Sequence, residues 1–240
     1  LVCSGLTDRL GEFSRSLTSS FDYEHRVFRD LVQLLTPKHW LVVNDTRVLP
    51  VRVLGHRIQD DGTVGGAVEA VVLRKLNDRG SEWATILRLS ARIKPGMKLL
   101  FDPGLILEIL STHEERVAAD GEVRVRVSGI SADRIGLEAW LERYGHVPLP
   151  PYIDRADIDE DRRVYQTVYA REAGSAAAPT AGFHFTEEML SQLKARGVGV
   201  SRVTLNVGLG TFRPIKSDHW QDHKMHEENF TISPEFAHEF

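Results

Sequence analysis

Four clusters of residues in this 240-residue chain have types and spacings that could do chemistry. Asn44-Asp45-Thr46-Arg47 sets an amide, a carboxylate, a hydroxyl and a guanidinium side by side. That set could hold a ribose and a neighbouring anion. It is equally the composition of a turn, because Asn, Asp and Thr readily bond nearby backbone. Ala176 to Thr186 is rich in small residues, which let a ligand approach the backbone closely. Thr180 and His184 are its polar groups, in an aromatic setting of Phe183 and Phe185, with Gly182 between them. Histidine has an ordinary pKa of about 6.5 and can exchange a proton near neutrality. The alternative is a tight loop entering a helix, with a core histidine.

The third cluster is Val207-Gly208-Leu209-Gly210-Thr211-Phe212-Arg213-Pro214. A Gly-x-Gly turn after a strand can cradle a phosphate or carboxylate, with Arg213 as a charged clamp. A plain glycine turn is the other reading. It is not a P-loop, and Arg213 takes the place of the third glycine in a dinucleotide fingerprint. The fourth cluster is His219, His223 and His226 with Glu227. His219 and His223 are four apart, which would suit zinc if the segment were helical. It lacks His-Glu-x-x-His, and the polar run after Pro214 argues for a solvated loop. No Gly-x-Ser-x-Gly nucleophile elbow occurs.

These clusters need elements to position them. Val27, Phe28, Leu31, Leu34 and Leu35 share a helical face, and Thr36-Pro37 ends that helix. Leu41-Val42-Val43 has the continuous apolar character of a strand buried on both faces. Asn44 then falls at a C-terminal strand end, where open α/β sheets bind ligands. Helices are expected over 137–144, from Arg162 to Glu172, and from Glu187 to Arg196. Thr186 caps the last of these and Gly197 stops it. Val203 to Val207 is expected as a strand feeding the third cluster. Residues 1–22, with Ser14, Ser16, Ser19 and Ser20, look like a loose segment.

The middle of the chain differs in character. Segments 68–74, 83–89, 97–101, 105–110 and 123–127 have the pattern of short strands. Gly65-Gly66, Asp78-Arg79-Gly80, Pro95-Gly96, Asp102-Pro103-Gly104 and Asp120-Gly121 separate them as turns. The expected fold class is therefore α/β: a mixed α/β domain carrying an inserted small all-β barrel. Residues 1–55 and 136–240 form the discontinuous α/β domain, and 56–135 the inserted barrel.

Composition removes several function classes. Hydrophobic residues make up 42% and charged residues 27%, as in a globular protein. The net charge of -4 is unlike that of a nonspecific nucleic-acid binder, though it leaves room for a local basic face. The single cysteine, Cys3, can build neither a disulfide framework nor a cysteine-ligated metal centre. No apolar run approaches the roughly 18 residues of a membrane span, and no signal peptide opens the chain. No membrane association and a cytoplasmic location are expected.

Six blocks occur in a telling order: Asn-Asp-Thr-Arg-Val-Leu-Pro (44–50), Val-Pro-Leu-Pro-Pro-Tyr-Ile (147–153), Tyr-Gln-Thr-Val-Tyr-Ala (165–170), Ala-Ala-Pro-Thr-Ala-Gly-Phe-His-Phe-Thr (177–186), Val-Gly-Leu-Gly-Thr-Phe-Arg-Pro (207–214) and Met-His-Glu-Glu (225–228). From about Tyr23 to Ile232 the chain resembles the S-adenosylmethionine:tRNA ribosyltransferase-isomerase family of queuosine biosynthesis. The resemblance implies an α/β domain with an inserted barrel. It implies that the ribosyl part of S-adenosylmethionine moves to an aminomethyl-deazaguanine in the tRNA wobble position. Adenine and methionine leave, and epoxyqueuosine forms in the tRNA. No metal and no cofactor beyond S-adenosylmethionine, itself the substrate, is implied.

Such a reaction needs a base for the ribose CH2 next to the sulfonium and a donor near the departing adenine. Each acid–base step is worth roughly 10²–10⁴-fold. His184 or Asp45 is the expected base, and His226 and Glu227 complete the site or donate to adenine. Asn44, Thr46 and Thr180 are expected on ribose hydroxyls. Phe183 or Phe185 stacks on a base, next to the tight Gly182. Arg213 with the backbone of Gly208, Gly210 and Thr211 holds a carboxylate or phosphate. Arg47 contacts an anion or fixes Asp45.

The sequence departs from the family pattern in places. Leu205-Asn206-Val207 stands where Leu-His-Val is usual, which removes a histidine; Asn206 can hydrogen-bond but not act as a base at neutral pH. Phe183 replaces a leucine, and the family's N-terminal motifs are not recognisable in residues 1–22. The chain begins on Leu1, and family blocks that follow Met-His have no counterpart, so a truncated chain lacking part of its sheet is expected. The competing functions are a truncated or non-catalytic paralog that binds S-adenosylmethionine or tRNA without turnover, and a metal-dependent hydrolase using His219, His223 and His226.

Overall fold

The structure, a computed structural model, describes residues 24–118, 121–129, 136–150, 152–208, 217–223, 225 and 228–239. A 3-10 turn, Phe28–Asp30, leads into α1 (Leu31–Leu34), a single turn. This is shorter than the expected helix. Of its apolar face only Leu35 is buried, while Val27 and Leu34 stay about half exposed. One or two turns cannot present a continuous stripe to a core. β1 (Trp40–Asn44) and β2 (Thr46–Val48) follow, separated by Asp45.

Six strands then close a barrel. They are β3 (Arg52–Ile58), β4 (Val64–Lys75), β5 (Glu82–Leu89), β6 (Lys98–Phe101), β7 (Leu105–Ile109) and β8 (Val123–Ser128). Their order is β3-β4-β5-β8-β7-β6, antiparallel throughout, with β6 closing onto β3. Alternation fills the interior: Leu105, Leu107 and Ile109 of β7 are fully buried, as are Val123 and Val125 of β8. The barrel begins at Arg52, ahead of the expected strands. Gly65-Gly66 is not a turn but lies inside β4; the turn falls at 59–63, where Gly62 has φ +84° and Asp61 accepts from the Thr63 N–H at 2.9 Å. α2 (His113–Ala118) was not anticipated. Its capping box is plain in the sequence: Thr112 accepts from the Glu115 N–H at 3.2 Å, and Glu115 from the Thr112 N–H at 2.8 Å.

α3 (Leu137–Tyr144) packs on the barrel through Leu137, Trp140 and Leu141, spaced for one helical face. The Trp140 indole N–H donates to the Pro103 carbonyl at 3.1 Å. α4 is only Asp161–Val164, not the expected helix to Glu172. Tyr165 departs from helical geometry, with φ -84° and ψ 43°, and the chain becomes β9 (Glu172–Ser175). Arg162 donates to the Glu142 carbonyl at 2.7 Å and to the Gly145 carbonyl, capping the C-terminus of α3.

α5 (Glu187–Ala195) starts and stops as its caps dictate. Thr186 Oγ1 accepts from the Met189 N–H at 3.1 Å, and Gly197 takes φ +81°. β10 (Gly199–Asn206) runs parallel to β1, and β11 (Asn229–Thr231) antiparallel to β10; α6 (Pro234–Glu239) follows. β2 pairs in parallel with β9. Among the described residues the β1-β10-β11 sheet is covered on one face. Leu41 and Val43 meet α1 and α5, while Val42 and Trp40 on the other face are 42% and 47% exposed. The expectation that β1 is buried on both faces is thus corrected: among the described residues Trp40 and Val42 stay about half exposed on the face away from α1 and α5.

Candidate functional site

Asp45 is where the chain leaves one sheet and enters another. Its N–H donates to the Val203 carbonyl of β10 at 3.0 Å, and its carbonyl accepts from the Arg171 and Glu172 N–H groups at 2.7 and 3.2 Å. Asn44 fastens this exit. Its amide donates to the Leu205 carbonyl at 2.9 Å and accepts from the Leu205 and Thr46 N–H groups at 3.0 and 3.2 Å. The parallel β1 and β10 therefore deliver two motifs, 44–47 and 206–208, to the same end of the sheet.

The small-residue segment joins them through Ser175. The Val207 N–H donates to Ser175 Oγ at 2.8 Å, and Ser175 Oγ lies 2.6 Å from Thr46 Oγ1. Thr46 in turn donates to Asn206 Oδ1 at 3.3 Å, which leaves Ser175 as the donor to Thr46. The Ala176 and Ala177 N–H groups donate to the Val207 carbonyl at 2.9 and 3.3 Å. The Gly208 N–H donates to Glu228 Oε1 at 3.2 Å, which brings in the last block. Residues from 44 to 228 thus meet in one hydrogen-bonded junction. Thr46 and Ser175 are 1% and 0% exposed, so their hydroxyls serve the junction itself.

A cleft of about 670 Å³ opens beside the junction. Its lining includes Asp45, Arg171 and Glu172, with Arg202, Thr204 and Asn206 of β10. Asp45 is buried, and its Oδ1 accepts from the Thr204 hydroxyl at 2.7 Å. Arg202 Nε is buried without a hydrogen-bond partner.

Thr180–His184 forms a 3-10 turn apart from the lining of this cleft. Gly182 is packed so that a Cβ would collide with the Tyr169 hydroxyl and stand 2.6 Å from Thr167 Cγ2. Only glycine fits there, and the turn is fixed by that contact. Thr180 and His184 are exposed, and the His184 ring lies 5.0 Å from that of Phe28. Phe185 is core, packed with Leu35, Val43 and Leu193. Phe183 is 40% exposed and stands edge-on to Tyr165 at 5.8 Å. Burial raises the hydroxyl pKa of both Tyr165 and Tyr169 above the ordinary value.

Arg47 does not fix Asp45: it pairs with Glu142 of α3 at 2.6 Å. Gly210, Thr211, Arg213, His226 and Glu227 lie outside the described residues. His219 and His223 bracket a 3-10 turn, not an α-helix, and among the described residues no three His, Cys, Asp or Glu side chains converge on one point.

Residues 13–240 match the family described as "Queuosine biosynthesis protein". The chain belongs to this family. The match begins at residue 13, ahead of the Tyr23 at which the resemblance becomes visible to inspection. The S-adenosylmethionine:tRNA ribosyltransferase-isomerase of Symbiobacterium thermophilum is 46% identical over 214 residues, 89% of this chain and 58% of that protein. The enzyme of the same name from Sulfurihydrogenibium sp. is 41% identical over 212 residues, 88% of this chain and 58% of that protein. The chain thus spans about 58% of the length of these curated relatives. A crystal structure of S-adenosylmethionine tRNA ribosyltransferase from Thermotoga maritima aligns over 90% of this chain and 51% of that one, at 21% identity and a TM-score of 0.30.

Sequence reasoning missed Arg171, Glu172, Arg202 and Thr204. The available signal was polar alternation: Arg202, Thr204 and Asn206 fall two apart in a strand, so they share one face.

Proposed function

We propose that this chain carries the S-adenosylmethionine-handling part of a tRNA ribosyltransferase-isomerase. In that reading the ribosyl group of S-adenosylmethionine is transferred to aminomethyl-deazaguanine at the tRNA wobble position and isomerised. Adenine and methionine are released and epoxyqueuosine-tRNA is formed. The observation that carries the reading is the junction itself, where blocks spread from Asn44 to Glu228 meet at the C-terminal ends of two parallel strands. The names of the relatives support ribosyl transfer and isomerisation between S-adenosylmethionine and tRNA; the deazaguanine acceptor and the epoxyqueuosine product rest on the family resemblance.

The proposed base is His184. Its ring is exposed on a turn held by packing, whereas the Asp45 carboxylate already accepts the Thr204 hydroxyl. Asp45 suits a fixed negative charge facing the cationic sulfonium. Thr180 and Phe183 are exposed on the same turn as His184 and are proposed to meet the ribose and a base. Asn44 and Thr46 act one step back, because their side chains hold the junction. The residues from Gly208 to Arg213 are proposed as an anion site, and His226 with Glu227 as the donor side for adenine. The family resemblance suggests no cofactor besides the substrate, and a cytoplasmic setting suits a tRNA-modifying enzyme. No described helix is long and apolar enough to cross a membrane.

The test is adenine release from S-adenosylmethionine in the presence of tRNA carrying aminomethyl-deazaguanine, with mass spectrometry of the tRNA. Adenine and epoxyqueuosine are expected, and His184→Ala is expected to slow turnover by about 10²-fold or more with bound S-adenosylmethionine unchanged. Binding without adenine release, under conditions where a full-length relative turns over, would overturn the assignment of activity to this chain. An unimpaired His184→Ala protein would move the base role to Asp45.

A further inference from the structure

We propose that the cleft along β10 is a subsite for a zwitterion, the amino-acid end of S-adenosylmethionine, with Arg202 on its carboxylate and the Asp45–Glu172 wall facing its cationic side. The proposal rests on the functional reading above and deepens it by assigning a subsite.

β10 is the middle strand of its sheet, hydrogen-bonded to β1 on one edge and β11 on the other. Beyond Val200 and Ser201 at its start, it nevertheless lines the cleft with Arg202, Thr204 and Asn206, where a core-forming strand would carry apolar groups. Thr204 and Asn206 are engaged with Asp45 and Thr46. Arg202 is not engaged: its Nε is buried with no acceptor, and its guanidinium makes no ion pair among the described residues. A buried guanidinium N–H without an acceptor is unfavourable, and a ligand carboxylate in the cleft satisfies it bidentately. Arg171, exposed and also lining the cleft, adds a second cation.

Two arginines alone would suit a phosphate. The carboxylates of Asp45 and Glu172 share the cleft, so it presents both signs. A nucleic-acid backbone would be repelled by these acids. An α-amino acid carries a carboxylate and an ammonium on one carbon and needs opposite charges within a few ångströms. In S-adenosylmethionine a sulfonium follows, adding positive charge on the acidic side. The cleft volume of about 670 Å³ lies within the range of small-molecule sites.

The experiment compares four probes on the 240-residue chain by titration calorimetry: S-adenosylmethionine, 5′-methylthioadenosine (no amino-acid end), L-methionine (only that end) and inorganic phosphate. S-adenosylmethionine is expected to bind about 10-fold or more tightly than methylthioadenosine. Arg202→Gln is expected to weaken S-adenosylmethionine and L-methionine about 10- to 100-fold and leave methylthioadenosine unchanged. Arg171→Gln, at an exposed position, should weaken the same two probes by about 3- to 10-fold, and carries the test if Arg202→Gln does not fold. Equal losses for S-adenosylmethionine and methylthioadenosine, or none, overturn the subsite. So does phosphate binding that needs Arg202 while L-methionine fails to bind. L-methionine binding that needs Arg202, with no S-adenosylmethionine binding, keeps the zwitterion subsite and removes the ribosyl-transfer reading instead.

Discussion

Two regions of this molecule bury polar groups in different ways. Inside the barrel, Thr85 donates to the Val123 carbonyl at 3.1 Å, and Ser111 accepts from the Arg124 N–H at 2.7 Å. Each is tied to backbone that the ladder already fixes, and the surroundings are apolar. At the β1–β10 junction, Thr46, Ser175, Asn206 and Asn44 are tied largely to one another and to strand ends. The barrel can lose one polar side chain and keep its architecture. The junction is a network, in which each lost group leaves a buried partner unsatisfied. A stable, self-filled barrel beside a mutually dependent polar junction is what a scaffold plus a site looks like in energetic terms.

The contrast can be broken most directly at the barrel's apolar plug. Trp140→Ala removes a side chain that is 2% exposed and should cost about 3–5 kcal/mol, read as a lower urea midpoint. A loss no larger than that of a surface change would mean that α3 is not part of the barrel core. The next largest effect is expected at the junction. Thr46→Val should cost about 1–3 kcal/mol, because Ser175 and Asn206 both lose a partner, while Thr85→Val in the barrel should fall at the low end of that range. In a double-mutant cycle Thr46→Val and Ser175→Ala should be non-additive by about 0.5 kcal/mol or more. Additive losses, or equal costs for Thr46 and Thr85, would erase the distinction.

The smallest expected effect lies outside both regions, at the start of α4. Arg155 donates twice to Asp161, at 2.6 and 2.7 Å, and the Ile158 N–H adds a third bond, so the Asp161 pKa is pushed below its ordinary 3.8. A carboxyl with a depressed folded-state pKa contributes stability that is present above its unfolded value and lost as pH falls through the folded one. Asp161→Asn should therefore cost about 1 kcal/mol at pH 6, reduced from a buried pair's worth because Arg155 is half exposed. The difference from the parent should shrink as unfolding is followed from pH 5 to pH 2. A difference that holds constant with pH would show that packing, not charge, is what Asp161 supplies.

Much of the barrel was legible in sequence because period-2 alternation and glycine turns are local signals. The strands expected at 83–89, 97–101, 105–110 and 123–127 lie within about a residue of those observed. Gly65-Gly66 misled because glycine also tolerates a strand interior, and here Gly65 packs against Gln59 and Arg57. The Arg162–Glu172 helix failed for the opposite reason. Its composition permits a helix, but Arg163 to Arg171 is needed to bring Tyr165 and Tyr169 into two separate cores, and a straight helix could not serve both. In the site, the sequence offered polar groups without saying which would be used up by one another. Asn44 and Thr46 look like ligand groups in sequence, and in the structure their side chains are taken up by the junction, while Arg202 went unnoticed.

The sequence by itself determined the alternating strands, the capped helix after Thr186, the glycine stops and the family of this chain. Those follow from local stereochemistry and from ordered motifs that survive without any knowledge of distance. Tertiary structure alone decided which polar groups face each other. The partners of Thr46 and Asn44 lie more than a hundred residues away, at Ser175, Leu205 and Asn206. A hydroxyl saturated by such a partner is a brace, whereas the buried Nε–H of Arg202, left without one, is free to bind. That difference arises only when the strands have paired.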